Sequence, residues 1–105
     1  MNLVRLSPEA IDELVAAAMW YRARRPGLES EFLDEVERVL PLIESSPASF
    51  PRLLDVPADL VIRRALLPRF PYAMIFMVLG AHVRVLAVAH AKRRPGYWLD
   101  RIEKE

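Results

Sequence analysis

The residues best suited to chemistry are concentrated near the C-terminus, between positions 90 and 101. They comprise an imidazole, two aromatic side chains and several cations: His90, Lys92, Arg93, Arg94, Tyr97, Trp98 and Arg101. Lysine and arginine bind anionic groups through charge-assisted hydrogen bonds. Histidine and tyrosine can transfer protons in general acid–base catalysis. The stretch therefore predicts a surface for an anionic partner, used for chemistry or recognition, unless its charge serves solubility alone.

Individual members of this stretch have structural interpretations as well. A histidine that ends an apolar strand, as His90 does, is more often structural than catalytic. Tyr97 lies among cations and could stack on nucleic-acid bases. For Trp98 we favour a different role, in which the indole closes the core from the C-terminal side.

A second set of candidate binding residues lies on predicted strands. Adjacent strand residues point to opposite faces, so one of Arg63 and Arg64 should lie on the helix-covered face and pair with an acidic residue. The other should face the open side together with Arg84. Arg69 and Tyr72 flank the start of the next strand, where we expect the aromatic side chains to pack under a long loop. They are secondary candidates.

The charge of the 105-residue chain is +1 overall, but it is unevenly distributed. Residues 1–51 have a net charge of −4, whereas residues 52–105 have a net charge of +5. Such asymmetry is a hint of an anionic partner for the basic half. The alternative is that acidic helices and a basic sheet complement each other.

Several function classes are disfavoured. The chain has no cysteine, which excludes disulfides, thiolate catalysis and cysteine-based zinc sites. His82 and His90 are too far apart along a strand to share a metal unaided, and we expect no metal or cofactor. The N-terminus lacks a signal-peptide pattern, and the longest apolar run is far below the roughly 20 residues that span a bilayer. We therefore expect a cytoplasmic protein with no membrane partner.

Helix signals dominate the first half of the chain. After a short strand at Asn2–Leu6, Ser7 and Pro8 predict a helix start, and a turn follows at residues 24–27. Apolar residues recur at helical spacing in this helix and predict its buried stripe: Ile11, Leu14, Val15, Ala18 and Met19. A second helix begins near Leu28, and Pro41 predicts a kink or an early end.

The second half of the chain is rich in strand patterns. Following an irregular segment at residues 45–59, strands are predicted at Leu60–Leu67, Ala73–Leu79 and His82–Ala89. The middle one has no polar residue and should be covered on both faces. The result is a single α+β domain over residues 1–105, in which a short N-terminal strand precedes a two-helix antiparallel hairpin packed on a three- to four-stranded antiparallel sheet.

In this order the segments resemble the RelE/ParE toxin superfamily of type II toxin–antitoxin modules, including plasmid stabilisation toxins. The resemblance is carried by LSPEAIDEL, MWYRARRPGLESEFLDEVE, IRRALLPRFPYAMIF and VLAVAHAKRRPGYWLDR. It implies a growth-inhibiting toxin, neutralised by an antitoxin whose C-terminal segment wraps over it. RelE-like members cut mRNA on the ribosome, whereas ParE-like members poison DNA gyrase. A shared fold does not choose between these targets.

Position by position, Arg93 or Arg94 followed by Tyr97 matches the basic-then-tyrosine pattern of RelE-like enzymes. Two departures weaken the nuclease hypothesis. Ala73 occupies the place of an expected arginine, and the loop before Leu60 offers Arg52 but no lysine. We therefore favour a ParE-like gyrase poison over catalysis.

The alternatives are a metal-independent mRNA endoribonuclease and a degenerate toxin that only binds antitoxin. In the nuclease, the catalytic residues would be Arg93, Arg94, Tyr97 and His90. The residues predicted to bind the target are Arg63, Arg64, Arg69, Tyr72, Arg84, Lys92 and Arg101.

Overall fold

The computed structural model describes residues 3–103 and has the predicted β-α-α-β-β-β order. The elements are β1 (Leu3–Leu6), α1 (Pro8–Arg24), α2 (Leu28–Ser45), β2 (Ile62–Leu66), β3 (Tyr72–Leu79) and β4 (His82–His90), with short 3-10 helices at Pro47–Ser49 and Leu99–Arg101. Asn2, which we assigned to the first strand, lies outside the described residues. The predicted helical hairpin and the strand-rich second half are confirmed.

The four strands form one sheet in the order β1-β4-β3-β2. The pairs β2–β3 and β3–β4 are antiparallel, as predicted. The first strand differs, because β1 runs parallel to β4 with Leu3 opposite His82 and Leu6 opposite Val85. These two strands are separated by most of the chain, so no tight turn forces them to be antiparallel. The sheet is therefore mixed.

Local sequence chemistry explains the helix ends. The Ser7 hydroxyl accepts a hydrogen bond from the Ala10 N–H at 3.1 Å and also donates to the Leu86 carbonyl at 3.3 Å. One cap thus starts α1 and anchors it to β4. Gly27, with a φ of 98°, makes the left-handed turn between the helices. The predicted early end at Pro41 is wrong, since α2 continues to Ser45.

The buried face of α1 coincides only partly with the predicted apolar stripe, since Leu14 and Ala18 pack against the core but Ile11 is exposed. Ala10, Ala17 and Tyr21 are buried, whereas Val15 and Met19 are 55% and 58% exposed. Small alanines allow α1 to pack closely against its neighbours in the core. Apolar residues occur around most of this helix, so periodicity alone could not identify the inner side. An apolar stripe is consequently left at the surface.

The sheet has a hydrophobic core on each face, which confirms that β3 is covered on both sides. The core under the helices includes Phe32, Ile43 and Phe76. On the other face Ile75 and Leu86 pack against Trp98, which is 5% exposed. The long loop and the C-terminal segment form this second cover. The expected core role of Trp98 is confirmed.

A bulge in β4 changes which side chains reach the helices. Ile75 pairs with Ala87, but the next residue of β3, Phe76, pairs with Val85, so Leu86 is the extra residue. Val85 and Val88 consequently both belong to the core under the helices, although they are three positions apart, a spacing that puts side chains on opposite faces of a regular strand. His90 then follows on the same side as α1. Strict alternation from the sequence would have placed it on the opposite face.

Candidate functional site

The chain folds back on itself directly after β4 and delivers the C-terminal residues to the end of the sheet. The Ala91 N–H donates to the Pro71 carbonyl at 2.8 Å, and the Arg93 N–H donates to the His90 carbonyl at 3.0 Å. Gly96 has a φ of 80°, and a Cβ there would lie 3.0 Å from the Leu99 side chain. This tight path brings the segment against α1.

Glu13 of α1 is the centre of the resulting network. Its Oε2 accepts from the Tyr97 hydroxyl at 2.7 Å and from Arg101 Nη2 at 3.0 Å. Its Oε1 accepts from Arg101 Nη1 at 3.0 Å and from the Val88 N–H at 2.9 Å. Glu13 was not predicted from the sequence. It follows Asp12 on a helix face with the pattern of a solvated surface, and nothing in that pattern distinguishes it from its neighbour. One carboxylate thus links α1, β4 and the C-terminal segment.

These contacts determine the ionisation of the two C-terminal partners. Burial and the hydrogen bond to Glu13 raise the pKa of the Tyr97 phenol far above its ordinary value. The hydrogen bond to Glu13 likewise raises the pKa of the Arg101 guanidinium, whose side chain is only 14% exposed. Tyr97 is therefore a neutral hydrogen-bond donor, and the charge of Arg101 is directed into the protein.

Arg93 stands on the outer side of this network. Its guanidinium lies 3.9 Å from the centroid of the Tyr97 ring, a cation–π arrangement, and its side chain is exposed. His90 is next to it, with Nδ1 accepting from the Lys92 N–H at 3.0 Å and the ring edge-to-face with Tyr72 at 5.0 Å. The neutral His90 ring then carries its proton on Nε2. We call His90, Lys92, Arg93 and Arg94 the basic edge.

Two grooves meet at the basic edge. The first, of about 680 Å³, lies between α1 and the ends of β3 and β4. Its lining residues are Glu13, Ala16, Ala17, Trp20, Tyr21, Pro71, Tyr72, Val88, His90 and Arg93. The second, of about 350 Å³, includes Arg64, Leu66, Ala73, Arg94 and Tyr97 in its lining. Four residues line both grooves and form the ridge between them: Pro71, Tyr72, His90 and Arg93.

The structure places Arg63 and Arg64 on opposite faces, as predicted. Arg63 is on the helix side, but its Nη1 donates to the Phe50 carbonyl at 2.8 Å, where we had expected an acidic partner. Its Nε is buried without a hydrogen-bond partner. Arg64 is exposed and lines the second groove with Arg94. Of these two arginines, Arg64 is therefore the one whose charge is available on the open side of the sheet.

The remaining predicted binding residues are separated from the basic edge or held by other groups. Arg69 forms a 2.8 Å ion pair with Glu31 of α2. Arg84 donates to the Arg101 carbonyl at 2.8 Å. The side chain of Arg52 donates to the Leu60 carbonyl at 3.1 Å. These arginines therefore stabilise loops and termini of the fold.

The aromatic residues at the start of β3 do not pack under the long loop, contrary to expectation. Phe70 lies 5.0 Å from the Tyr21 ring and 5.3 Å from the Phe32 ring, measured between centroids. Tyr72 lies 5.4 Å from Phe32. The turn between β2 and β3 lies at the closed end of the helical hairpin, so these rings pack against Tyr21 near the end of α1 and Phe32 near the start of α2. Ala73, the position of the missing arginine, is buried in the second core.

Within residues 3–103, no group of three or more histidine, aspartate or glutamate side chains is arranged to hold a metal ion. None of the helices described is long and apolar enough to cross a membrane.

The arrangement of hairpin, sheet and C-terminal cover is an α+β fold that a protein of known structure shares. A chain of the solved structure described as the chromosomal ParDE TA system from P. aeruginosa matches it with a TM-score of 0.73 and 23% identity, over 88% of this chain and 98% of that chain. No family model matches the sequence. No curated protein matches it either. At this identity the likeness shows the fold, and the activity must be argued from the site.

Proposed function

We propose that this protein is the toxin of a bacterial type II toxin–antitoxin module and inhibits growth in the ParE-like manner, by poisoning DNA gyrase. The fold likeness to a chain of a ParDE system supports the toxin assignment. The observation that favours gyrase over RNA cleavage is the 2.7 Å hydrogen bond between Tyr97 and Glu13. It commits the phenol that a RelE-like nuclease would use for proton transfer.

The chemistry of RNA cleavage supports this choice. Attack by a 2′-hydroxyl requires a group that removes its proton and another that protonates the leaving oxygen. The phenol of Tyr97 already donates to a carboxylate, and Nδ1 of His90 already accepts from a backbone N–H. Neither has a free site for removing a proton. Arg93 and its neighbours can still bind an acidic surface of a protein target.

For the antitoxin we propose a contact on α1 and the first groove. Val15 and Met19 are more than half exposed, and Trp20 lies beside them at the groove wall. Exposed apolar stripes of this kind mark interaction surfaces. The stripe is bordered by Arg24, whose guanidinium lies 4.3 Å from the Trp20 ring centroid, and the groove ends at Arg93. The matching partner is an amphipathic segment with acidic residues along its polar side.

The deciding experiment is expression of the protein without its antitoxin, followed by three measurements. We expect growth arrest, DNA breaks with an SOS response, and inhibition of purified DNA gyrase. Primer extension on ribosome-bound mRNA should show intact transcripts. Codon-phased cuts with normal gyrase activity would refute the gyrase proposal. Harmless expression would refute both activities and leave a degenerate toxin that only binds antitoxin.

The endoribonuclease remains the second candidate because Arg64, Arg93 and Arg94 converge on the second groove. Three guanidinium groups could hold an RNA phosphate and stabilise the negative charge that develops on it, and the Nε2–H of His90 could add a hydrogen bond to that charge. For this activity, Arg93→Ala and His90→Gln should abolish mRNA cleavage in the primer-extension assay. Arg5→Ala, an exposed arginine on the far strand of the sheet, is the matched control.

A further inference from the structure

We propose that Glu13 is the positioning residue of the basic edge: it fixes the C-terminal segment, residues 91–103, so that Arg93 stands on the ridge between the two grooves. The placement of Arg93 follows from geometry alone. Its consequence for target binding rests on the proposed function.

The hydrogen-bond acceptor capacity of the Glu13 carboxylate is filled. Each oxygen accepts two hydrogen bonds, at distances between 2.7 and 3.0 Å. Two come from the fork of the Arg101 guanidinium, a bidentate geometry that constrains orientation as well as distance. The others come from the Tyr97 hydroxyl and the Val88 N–H. Arg101 joins the same three elements from the C-terminal side, because its Nη1 also donates to the Leu86 carbonyl of β4 at 3.0 Å.

The hydrogen bond from the Val88 N–H explains why the Glu13 carboxylate lies at this edge of the sheet. The parallel pairing of β1 with β4 ends at Leu6 and Val85, so the backbone of β4 beyond Val85 has no strand on that side. Side chains satisfy it instead: the Leu86 carbonyl accepts from Ser7 and from Arg101, and the Val88 N–H donates to Glu13. Glu13 thus satisfies a backbone N–H at the sheet edge and also binds the C-terminal segment to that edge.

Arg93 is connected to Glu13 through Tyr97. The Tyr97 ring is held by its hydroxyl at one end, and its face supports the Arg93 guanidinium at 3.9 Å. Glu13 also compensates the charge of Arg101, which lies 5.1 Å from the same ring. The carboxylate therefore keeps one arginine inside and leaves the other facing the grooves.

This carboxylate is not the sole anchor of α1. The first helix is also anchored by its Ser7 cap and by the buried side chains of Ala10, Ala17 and Tyr21. A variant at position 13 should consequently remain folded, with the disturbance confined to the C-terminal segment. This makes the role testable without a folding defect.

The test compares Glu13→Gln with Asp12→Asn, which removes the same charge from the exposed neighbouring residue. A glutamine has one acceptor oxygen, so it cannot satisfy four donors. In hydrogen exchange, the amides of Val88 and of residues 97–101 should exchange about tenfold faster or more in Glu13→Gln than in the control, while α2 amides are unchanged. Trypsin should cleave faster after Lys92 and Arg93.

A third variant, Val39→Ala, provides general destabilisation at a buried site on α2. The concentration that inhibits gyrase by half should rise about tenfold in Glu13→Gln and remain near the wild-type value in Val39→Ala and Asp12→Asn. Equal potency of Glu13→Gln and Asp12→Asn, or equal exchange of the C-terminal amides, would overturn the positioning role. If the wild-type protein does not inhibit gyrase, the proposed function fails, and the exchange comparison still decides whether Glu13 fixes the segment.

Discussion

The hydroxyl of Tyr97 lies 2.7 Å from Oε2 of Glu13, across a sequence separation of 84 residues. This hydrogen bond joins the first helix to the C-terminal segment. Because the phenol proton is donated to the carboxylate, the hydroxyl is poorly suited to transfer a proton to a substrate. The basic-then-tyrosine pattern suggested a catalytic tyrosine, whereas in the structure the Tyr97 ring supports the guanidinium of Arg93. Under the proposed function, Arg93 contributes by binding the target.

Removing the Tyr97 hydroxyl separates the two proposed activities. Tyr97→Phe should lower the free energy of unfolding by about 1–2 kcal/mol, since a hydrogen bond to a charged group in a partly buried site is lost. The ring that supports Arg93 remains, so growth inhibition should persist. Urea unfolding and a growth assay check both parts. Abolished toxicity in a stably folded Tyr97→Phe protein would favour the nuclease.

Arg93 should be essential for toxicity, because it lines both grooves and is exposed on the ridge. Arg93→Ala should weaken binding to the target at least about tenfold, which corresponds to the loss of a charged anchor at an interface. Growth inhibition and inhibition of gyrase supercoiling would be measured in parallel. Arg5→Ala is the control, and equal effects of the two substitutions would contradict a specific role for Arg93.

A charge in the exposed stripe of α1 should block the antitoxin without harming the fold. Val15→Asp places a carboxylate in an apolar contact that we expect to bind an acidic amphipathic segment, so affinity should fall at least tenfold. Isothermal titration with the cognate antitoxin is the measurement. Leu54→Asp, at an 87% exposed leucine in the loop, is the matched control. Toxicity of Val15→Asp should no longer be relieved by co-expressed antitoxin.

The two tryptophans should differ in their contribution to stability. Trp98→Ala removes an indole buried in the second core and should cost about 3 kcal/mol or more. Trp20→Ala removes one that is half exposed on α1, and should cost less than about 1 kcal/mol. Chemical denaturation monitored by circular dichroism gives both values. Similar losses would mean that the C-terminal segment is not a structural cover of the sheet.

Alkaline pH should destabilise the protein partly through Tyr97. Its folded-state pKa lies above the ordinary 10.0 because of burial and Glu13, so the proton is bound more tightly in the folded state. The resulting stabilisation is fully present below pH 10 and is lost as the pH rises further. Tyr21 and Tyr72 also have raised pKa values and contribute in the same direction. Urea unfolding between pH 8 and 11 should therefore show a shallower decline for Tyr97→Phe than for wild type.

Much of the architecture was predictable because it depends on local chemistry. The cap at Ser7, the turn at Gly27 and the apolar run of β3 predicted the elements and their order. The orientation of α1 was not predictable, because a helix apolar around most of its circumference has no unique inner side. The bulge at Leu86 was equally hidden, since it results from pairing with β3, and it decides that His90 faces α1.

By itself, the sequence determined the α+β class, the covered central strand and the concentration of cations near the C-terminus. Periodicity, breakers and charge act over a few residues, so they can be recognised without the fold. The tertiary structure alone decided which of those cations face outward. Glu13 lies 88 residues from Arg101, which it binds, and such a contact arises only when the sheet and the helices pack together. The basic edge is therefore a product of sequence composition, whereas the burial of Arg101 and the position of Arg93 between the two grooves are products of packing.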